Sequence, residues 1–408
     1  MKCRFCSNSL TREFVDLGFS PPSNSFLASS ELNKSEIFYP LKTWVCEACY
    51  LVQIDEFEKH DSIFDSEYVY FSSYSKSWLK HCEEYVNMVY NRFSLNESTQ
   101  VIEIASNDGY LLQYFKDKNV SVLGIEPTSN TAEVAKNKGI DTWVDFFSIN
   151  LANKLISRGI KADLLIGNNV LAHVPNINDF VGGMKIVLND RGIITLEFPH
   201  LLKLIDQVQF DTIYHEHFSY FSLYTVSKIF NFHALEIFDV EEVETHGGSL
   251  RVFIKHKNDL SKIINPSVDN LIKKEISYGL NSLDIYQNFQ NRVEIVKNKF
   301  LSFLTNAYLD GKVVLAYGAA AKGNTLLNFS GIRKDLINYV VDKSPHKIGK
   351  FLPGVHIPVV SEEFLLSVKP DYVVILPWNL KEEIAEQLHY IRNWGGKFVV
   401  SVPEIQVF

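Results

Sequence analysis

Short apolar runs alternate with amphipathic stretches between about residues 99 and 199. The run "QVIEIA" is typical of a buried strand, and the turn "SNDG" leads from it into the helical stretch "YLLQYFKDK". The alternation continues through a strand in "SVLGIEP", a helix near 130–138, a strand at 163–169, a helix near 179–188 and a strand at 192–199. Repeated strand and helix units of this kind predict a doubly wound parallel sheet.

A second α/β pattern follows a helix-rich stretch that covers about residues 259–310. It begins with "KVVLAYGAAAKGNTLLNF" and continues through the apolar runs "NYVVD", "HIPVV", "DYVVILP" and "KFVVSVP". We therefore predict an α/β protein with two such units, the second of which occupies residues 259–408.

Composition and charge exclude several classes of protein. The chain has 408 residues, of which 46% are hydrophobic, enough apolar material for two or three domains. The net charge of -8 gives no electrostatic footprint for nucleic acid. No run approaches the roughly 18 apolar residues of a membrane span, and the N-terminus "MKCRFCSNSL" lacks the apolar core of a signal peptide. We expect a soluble cytoplasmic protein without nucleic-acid or membrane partners.

Four of the five cysteines form two C-x2-C pairs. These cysteines are Cys3, Cys6, Cys46 and Cys49. Each pair can present two thiolates from a tight turn, so together they predict a closed, structural zinc site. Four unrelated buried thiols, or a redox disulfide pair, are the alternatives, and a disulfide is disfavoured in a cytosolic protein. Cys82 lies in a helical stretch and is interpreted as a packed thiol.

The first turn of the central sheet is acidic, whereas a dinucleotide-binding turn would be rich in glycine. Glu103 lies near the strand end. The turn that follows contains Ser106, Asn107, Asp108 and Gly109. Acids would repel a pyrophosphate but suit a cationic ligand, and Glu126 ends the second strand, where an acid accepts hydrogen bonds from ribose hydroxyls. The pattern favours S-adenosylmethionine, whose amino group and sulfonium are both positive. The alternative is that these residues only cap helices.

The loop 318–323, "GAAAKG", begins the second α/β unit and contains Lys322. Its backbone amides and this lysine could bind a phosphate. The loop lacks the P-loop spacing, so a simple turn at the sheet edge is the alternative interpretation.

Four polar or aromatic residues follow one another in "YHEHFSYFS", namely Tyr214, His215, Glu216 and His217. The cluster is compatible with acid–base chemistry and with a transition-metal site. On an extended segment both histidines would face one side and Glu216 the other. His173, in "LAHVP", is by itself more typical of a hydrogen-bonded core histidine.

The motifs occur together in an order that resembles one enzyme family. The double C-x2-C, "EIASNDGYLL", "NNVLAHVPN", "FDTIYHEHFSYFS", "HGGSLRVF" and "AYGAAAKGNTLLN" are similar to the sugar C-methyltransferases. These enzymes, for example those of the tetronitrose and mycarose pathways, methylate a ring carbon of nucleotide-linked keto-deoxysugars. The resemblance covers nearly the whole chain, and its most specific parts are the Tyr-His-Glu-His block and the double C-x2-C.

The resemblance implies three parts: a zinc-binding module (1–68), a Rossmann-like class I methyltransferase domain (69–258) that binds S-adenosylmethionine, and a C-terminal α/β domain (259–408) that helps to hold the nucleotide sugar. It places Asn168 beneath the methionine moiety, beside the cofactor positions already identified. It also implies a set of residues that line the sugar pocket. These are Tyr68, Asn169, His173, Tyr214, Glu216 and His217. Tyr70 is a further candidate because three tyrosines crowd that region.

Methylation of a ring carbon requires a carbanion, which a neighbouring ketone stabilises as an enolate. We expect His217 to be the base, Tyr214 to donate to the developing oxyanion or a sugar oxygen, and Glu216 to orient a histidine or a sugar hydroxyl. The family implies methylation at carbon 3 beside a carbonyl at carbon 4 of a thymidine diphosphate sugar.

Two other functions compete with this hypothesis. A nucleotide-sugar dehydrogenase or reductase would bind a dinucleotide in the C-terminal unit, although "YGAAAKG" lacks the fingerprint glycines. A non-catalytic zinc-containing scaffold is the second alternative. The sequence does not determine which sugar or ring carbon is methylated, with which stereochemistry, or whether the carrier is instead a guanosine or cytidine diphosphate. We expect a monomer.

Overall fold

Three β-sheets form the framework of the protein, as seen in a computed structural model that describes residues 1–57 and 71–408. The strands of the first two sheets are β1 (Arg12–Ser20), β2 (Tyr39–Val45), β3 (Val52–Ile54), β4 (Gln100–Ile104), β5 (Ser121–Ile125), β6 (Thr142–Trp143), β7 (Ala162–Asn168), β8 (Leu188–Pro199), β9 (Ser219–Tyr220), β10 (Leu235–Val243) and β11 (Ser249–His256). Those of the third sheet are β12 (Val314–Tyr317), β13 (Val340–Val341), β14 (Val359–Val360), β15 (Tyr372–Ile375), β16 (Lys397–Val400) and β17 (Gln406–Val407).

Helices connect and cover these strands. They are α1 (Lys76–Arg92), α2 (Leu112–Lys116), α3 (Ser129–Asn137), α4 (Ile149–Ser157), α5 (Ile177–Val187), α6 (Leu201–Asp206), α7 (Leu223–Phe232), α8 (Pro266–Tyr278), α9 (Asp284–Gln287), α10 (Phe289–Leu309), α11 (Ala321–Phe329), α12 (Glu363–Val368) and α13 (Lys381–Gln387). Several begin with a side-chain cap, such as Ser75, Ser148 and Ser222, whose hydroxyl oxygens accept from backbone amides of the first turn.

The central sheet has the strand order β10-β11-β8-β7-β4-β5-β6. Strands β8, β7, β4, β5 and β6 are parallel, and β11 and β10 extend the sheet in antiparallel fashion. The order reverses between β4 and β7, so the ligand crevice of this sheet lies at the carboxyl ends of these two strands.

The C-terminal sheet repeats this plan with the order β14-β13-β12-β15-β16-β17. All of its pairs are parallel except β16 with β17. Its own crevice therefore lies between the carboxyl ends of β12 and β15.

The small N-terminal sheet, β1-β2-β3-β9, is antiparallel and includes one strand from far along the chain. Strand β9 pairs with β3 directly after the Tyr-His-Glu-His block. Phe14 of β1 stacks on Phe289 of α10, with ring centroids 4.5 Å apart. One apolar core thus runs from the N-terminal sheet into the C-terminal unit.

The predicted α/β fold class is confirmed: a small N-terminal part, a Rossmann-like sheet and a second α/β unit. The domain boundaries at residues 68 and 258 stay predictions. In the described part of the chain, every helix is either too short or too polar to span a membrane.

Candidate active site and metal centre

The four paired cysteines meet in one cluster at the end of the N-terminal sheet. Their Sγ atoms all lie within 4.8 Å of one another. Cys3 and Cys49 are 3.6 Å apart, Cys6 and Cys46 3.5 Å, and Cys6 and Cys49 3.7 Å. Sulfur atoms at the corners of a tetrahedron around zinc, each about 2.3 Å from the metal, are about 3.8 Å apart. The cluster therefore fits a closed zinc site, and all four thiols are free of disulfides.

The surroundings of the cluster also suit thiolate ligands. The Gln53 side-chain amide donates to Cys3 Sγ at 3.3 Å, and three of the four cysteines are buried. Zinc would thus be held by Cys3, Cys6, Cys46 and Cys49, where it would join the segment before β1 to the turn between β2 and β3.

The predicted cofactor residues converge at the carboxyl edge of β5, β4 and β7. The turn after β4 is sharply bent, because Ala105, Asn107 and Gly109 have φ values of 57°, 48° and 76°. Such left-handed positions cost energy for residues other than glycine and are common at functional sites. The positive φ of Gly109 favours glycine, and a Cβ there would also lie 2.5 Å from Ile140 Cδ1, so Ile140 would have to shift.

Three carboxyl groups crowd this edge. Glu103 is fully buried, and burial raises its pKa well above the ordinary value; a hydrogen bond with Tyr110 opposes this, and the charges of Glu126 and Asp108 add to it. Burial also raises the pKa of Glu126, against hydrogen bonds from Thr128 and Asn107. Lys138 lies 3.7 Å from Asp108. A cationic ligand would relieve the mutual repulsion of these acids.

Several buried polar atoms at this edge have no hydrogen-bond partner among the described residues. They are Ser106 Oγ, Asp108 Oδ1, both amide atoms of Asn168 and Oδ1 of Asn169. Because buried polar groups are rarely left unpaired, these atoms indicate a polar ligand. The residues present therefore fit S-adenosylmethionine, with Asn168 at the end of β7 facing the turn after β4.

Glu126 stabilises the turn after β4 through its hydrogen bonds. Its Oε2 accepts from the Asn107 amide at 2.8 Å and its Oε1 from the Thr128 amide at 2.9 Å. The Thr128 hydroxyl also donates to Oε1. A carboxylate has about four acceptor sites, so these three bonds leave about one site for a further donor such as a ribose hydroxyl.

The Tyr-His-Glu-His block folds as a turn, in which the His217 amide donates to the Tyr214 carbonyl at 2.9 Å. His217 Nδ1 lies 2.9 Å from the Thr212 carbonyl oxygen, which can only accept, so Nδ1 must carry the proton. Its Nε2 is then an acceptor and receives the Tyr214 hydroxyl at 2.7 Å. The backbone thus selects one tautomer of the imidazole.

The surroundings of His217 keep this imidazole neutral. Burial lowers its pKa well below the ordinary value, and the charges of His173, His246 and Lys322 lower it further. The His173 ring lies 4.7 Å from the His217 ring in edge-to-face contact, and burial lowers the pKa of His173 to about 4. The structure thus brings His173, Tyr214 and His217 together.

The extended arrangement considered for this block is wrong, because the segment is a turn. His215 points away from His217 and contacts the Pro40 carbonyl at 3.3 Å, and burial lowers its pKa to about 4. Glu216 Oε1 accepts from Asn24 Nδ2 at 2.7 Å. A metal site on both histidines is therefore not formed.

Lys322 lies in α11, which begins at Ala321, so the loop predicted at 318–323 is shorter than expected. Lys322 Nζ donates to Asn379 Oδ1 at 2.7 Å and lies 4.9 Å from the Trp378 ring centroid. The Trp378 indole donates to Asp211 Oδ2 at 2.7 Å. Burial raises the pKa of Asp211 to about 6, and burial lowers that of Lys322. The crevice of the C-terminal sheet therefore lies next to the segment that leads into the turn 214–217.

A buried ionic network around Glu197 was not predicted from the sequence. Glu197, in β8, binds His81 at 2.9 Å and Arg251 at 3.1 Å and accepts from Thr245 at 2.7 Å. Burial would raise the pKa of Glu197, but the hydrogen bond and charge of His81 and the charge of Arg251 lower it to about 2. The available signal was one acid inside the apolar strand "GIITLEFP".

Two predicted site residues, Tyr68 and Tyr70, lie outside the described residues. Their assignment stays a prediction.

Three family models together cover most of the chain. A zinc binding domain matches residues 3–64, a methyltransferase domain matches residues 78–237, and a C-methyltransferase C-terminal domain matches residues 244–403.

One curated relative is similar over the full length. The C-methyltransferase NovU of Streptomyces niveus is 32% identical over 406 residues, which is 100% of this chain and 96% of the relative. Among solved structures, a SAM-dependent methyltransferase of Anabaena variabilis is 16% identical, covers 44% of this chain and 86% of that chain, and has a TM-score of 0.36. The magnesium protoporphyrin IX methyltransferase of Synechocystis with bound SAM is 14% identical, covers 43% of this chain and 78% of that chain, and has a TM-score of 0.34.

Proposed function

Because the chain belongs to the family of S-adenosylmethionine-dependent C-methyltransferases with an N-terminal zinc-binding domain, we propose that its substrate is a nucleotide-activated keto-deoxysugar. The methylated atom is the ring carbon beside a ketone, which in this proposal is carbon 3 beside the carbonyl at carbon 4 of a thymidine diphosphate sugar. Membership of this enzyme family removes the scaffold and dehydrogenase alternatives.

The observation that supports this proposal most directly is the orientation of His217. Its Nδ1–H is bound to the Thr212 carbonyl, so the unprotonated Nε2 faces the Tyr214 hydroxyl. A neutral imidazole with one fixed acceptor nitrogen is suited to remove a proton from carbon. Such a base is needed for C-methylation, since a ring carbon is not nucleophilic until its proton has left.

Tyr214 occupies the position next to the base. Its hydroxyl donates to His217 Nε2 in the described structure. With a keto-sugar bound, the hydroxyl can exchange this acceptor for a sugar oxygen, which leaves Nε2 free to receive the ring proton. Tyr214 then stabilises negative charge that develops on the sugar.

The chain supplies separate surfaces for the two reactants. When bound, S-adenosylmethionine supplies an electrophilic methyl group on a positively charged sulfur. The carboxyl groups of Glu103, Asp108 and Glu126 crowd the carboxyl edge of the central sheet, and a bound cation would favour their ionised forms. The Asn168 amide has unpaired hydrogen-bonding atoms at the same edge. His173 follows β7 and its ring contacts that of His217 in the turn 214–217, so in this proposal the methyl acceptor would bind between this edge and the C-terminal unit.

The C-terminal crevice is suited to the charged part of the substrate. Lys322, at the first turn of α11, is close enough to His217 for its charge to lower the pKa of that histidine. A cation at the start of a helix that follows a parallel strand is a favourable position for a diphosphate. In our proposal Lys322 binds the diphosphate while the ring reaches His217.

The proposal is tested by incubation of the purified protein with S-adenosylmethionine and a panel of thymidine, guanosine and cytidine diphosphate keto-sugars. Mass spectrometry should detect a product that is heavier by one CH2 group, and NMR of that product should locate the new methyl on the carbon beside the ketone. If S-adenosylmethionine binds but no keto-sugar gains a methyl group, the substrate class is wrong.

A further inference from the structure

His246 belongs to the motif "HGGS", for which the proposed function has no role. It lies in a bent segment in which His246, Gly247 and Gly248 have φ values of 56°, 91° and 110°. A left-handed conformation is unfavourable for histidine and persists only when the surroundings enforce it. Here the Thr245 hydroxyl donates to Glu197 at 2.7 Å, and the Gln209 amide donates to the Gly247 carbonyl at 2.7 Å.

The packing around Gly247 and Gly248 leaves little room for a side chain at either position. A Cβ on Gly247 would lie 2.4 Å from the Trp378 ring, and one on Gly248 would lie 2.8 Å from Lys203 Cγ. The C-terminal unit therefore packs directly against the segment and helps to fix where His246 points.

His246 lies between the cofactor edge and the catalytic turn. Its ring makes an edge contact with Trp78 at 5.3 Å, and Trp78 lies 6.0 Å from Tyr110, which follows the cofactor turn. On the other side, His246 is near enough to His217 for its charge to affect the pKa of that base. The charge of Lys322 also lowers the pKa of His246.

The two ring nitrogens of His246 have different environments. Nδ1 is buried and has no partner among the described residues, whereas Nε2 is not buried. Burial, together with the charge of Lys322, lowers the pKa of His246 to about 4, so the ring is neutral at pH 7. A proton on Nδ1 would make this atom a buried, unpaired donor, whereas a proton on Nε2 leaves it a buried, unpaired acceptor, and orphaned buried N–H donors are the rarer of the two. The neutral ring therefore carries its proton on Nε2.

His217 has the opposite tautomer, with its proton on Nδ1 and its acceptor at Nε2. The two rings thus differ at Nε2, which is the acceptor in His217 and the donor in His246. We propose that His246 is a second catalytic histidine, whose Nε2–H donates to the ketone oxygen of the substrate as the enolate forms. This inference rests on the proposed function.

With His217 as the base and His246 as the donor, each proton and electron pair in enolate formation has a place to go. The ring C–H bond breaks and the proton passes to His217 Nε2, while the electron pair of that bond moves toward the carbonyl and places negative charge on its oxygen. His246 keeps its proton and strengthens its hydrogen bond to that oxygen. The enolate carbon then forms the bond to the methyl group as the methyl–sulfur bond breaks; the electron pair of that bond stays on sulfur, which leaves as a neutral thioether, and the ketone is restored. A neutral imidazole can act as such an electrophile.

Two substitutions separate this role from packing on Trp78. His246→Phe keeps a ring but removes the N–H, and His246→Gln keeps an amide N–H near the position of Nε2. With a keto-sugar accepted by the wild-type enzyme, His246→Phe should lower both turnover and the exchange of the ring proton with deuterated water roughly 10²–10³-fold, the usual effect of losing one oxyanion donor. His246→Gln should recover part of this loss. His389→Phe, at an exposed histidine, should match the wild type.

Calorimetry of S-adenosylmethionine binding and thermal unfolding show whether each variant is folded. Wild-type exchange and turnover in His246→Phe would overturn the proposal. Nitrogen-15 NMR of labelled histidines provides an independent readout that needs no substrate: the Nε2–H tautomer of His246 supports the proposal, and the Nδ1–H tautomer overturns it. If the wild type methylates no keto-sugar, the proposed substrate class fails, while the NMR result still decides the donor role.

Discussion

At the scale of single residues, the two nitrogens of His217 have separate tasks. Nδ1 donates to the Thr212 carbonyl, and Nε2 is the basic atom. We predict that His217→Asn lowers turnover roughly 10²–10⁴-fold, the usual contribution of a positioned base. Asparagine can still donate to Thr212, so the fold and the S-adenosylmethionine affinity should be kept. Steady-state kinetics and calorimetry check both points, and full turnover in this variant would place the base elsewhere.

Tyr214→Phe should be milder than His217→Asn, because it removes one donor while the base remains. The same kinetic measurement compares the two variants. A larger loss in Tyr214→Phe than in His217→Asn would make the tyrosine oxygen the proton acceptor.

The lowered pKa of His217 predicts the pH dependence of the enzyme. The neutral, active form exists above this pKa and the protonated, inactive form below it. Because burial places the pKa well below 6.5, kcat/KM should stay level as the pH falls through 6.5 and should decrease only in more acidic solution. A pH profile of the wild type, restricted to the range in which zinc stays bound, checks this. An acid limb centred at or above pH 6.5 would contradict it.

Glu126 provides a test of the cofactor edge. Glu126→Ala should weaken S-adenosylmethionine binding at least about tenfold, since each lost hydrogen bond to a charged group is worth about 1.5–3 kcal/mol. The exposed Glu133→Ala, on the nearby helix α3, should leave the affinity unchanged. Calorimetry compares the two variants, and equal affinities would remove Glu126 from the cofactor site.

At the scale of secondary-structure elements, the N-terminal sheet depends on its metal. Cys46 follows β2 directly and is fully buried. Cys46→Ser should lose bound zinc and expose roughly the first 60 residues to proteolysis, because metal binding is coupled to folding. S-Adenosylmethionine affinity should change little, since the cofactor edge lies in the central sheet.

Cys82→Ser is the matched control, because Cys82 is a buried thiol of α1 outside the cluster. It should keep one zinc per chain by metal analysis. Wild-type zinc content in Cys46→Ser would exclude this cysteine as a ligand.

At the scale of the whole molecule, the C-terminal unit contacts the turn 214–217. Thr325 of α11 is fully buried, and its hydroxyl donates to the Ile213 carbonyl at 2.9 Å, one residue before Tyr214. Thr325→Val should leave this carbonyl unpaired at a cost of about 1–3 kcal/mol and lower kcat several-fold through misplacement of the turn. Thr325→Ser keeps the donor and should retain most activity. Denaturation and kinetics measure both variants, and equal kcat values would show that the contact does not position the turn.

Local patterns determined much of the framework and of the chemistry. Strand and helix units follow from apolar periodicity within about ten residues, which is why the parallel order around β4 could be expected. The acidic turn after β4 and the C-x2-C pairs are also local, because a tight turn brings residues two to four positions apart together. The expected cysteine cluster therefore matches what the structure contains, whereas the assignment of the cofactor residues stays a prediction.

Only the tertiary structure decided contacts between distant parts of the chain. Glu216 binds Asn24, β9 pairs with β3, and Lys322 lies near His217, although more than 100 residues separate the members of each pair. Side-chain spacing cannot predict these contacts, because they depend on how the sheets pack. The tautomers of His217 and His246 are likewise set by a carbonyl and by a buried, unpaired nitrogen. The sequence thus determined which chemical groups the protein has, whereas packing determined which of their atoms accept and which donate.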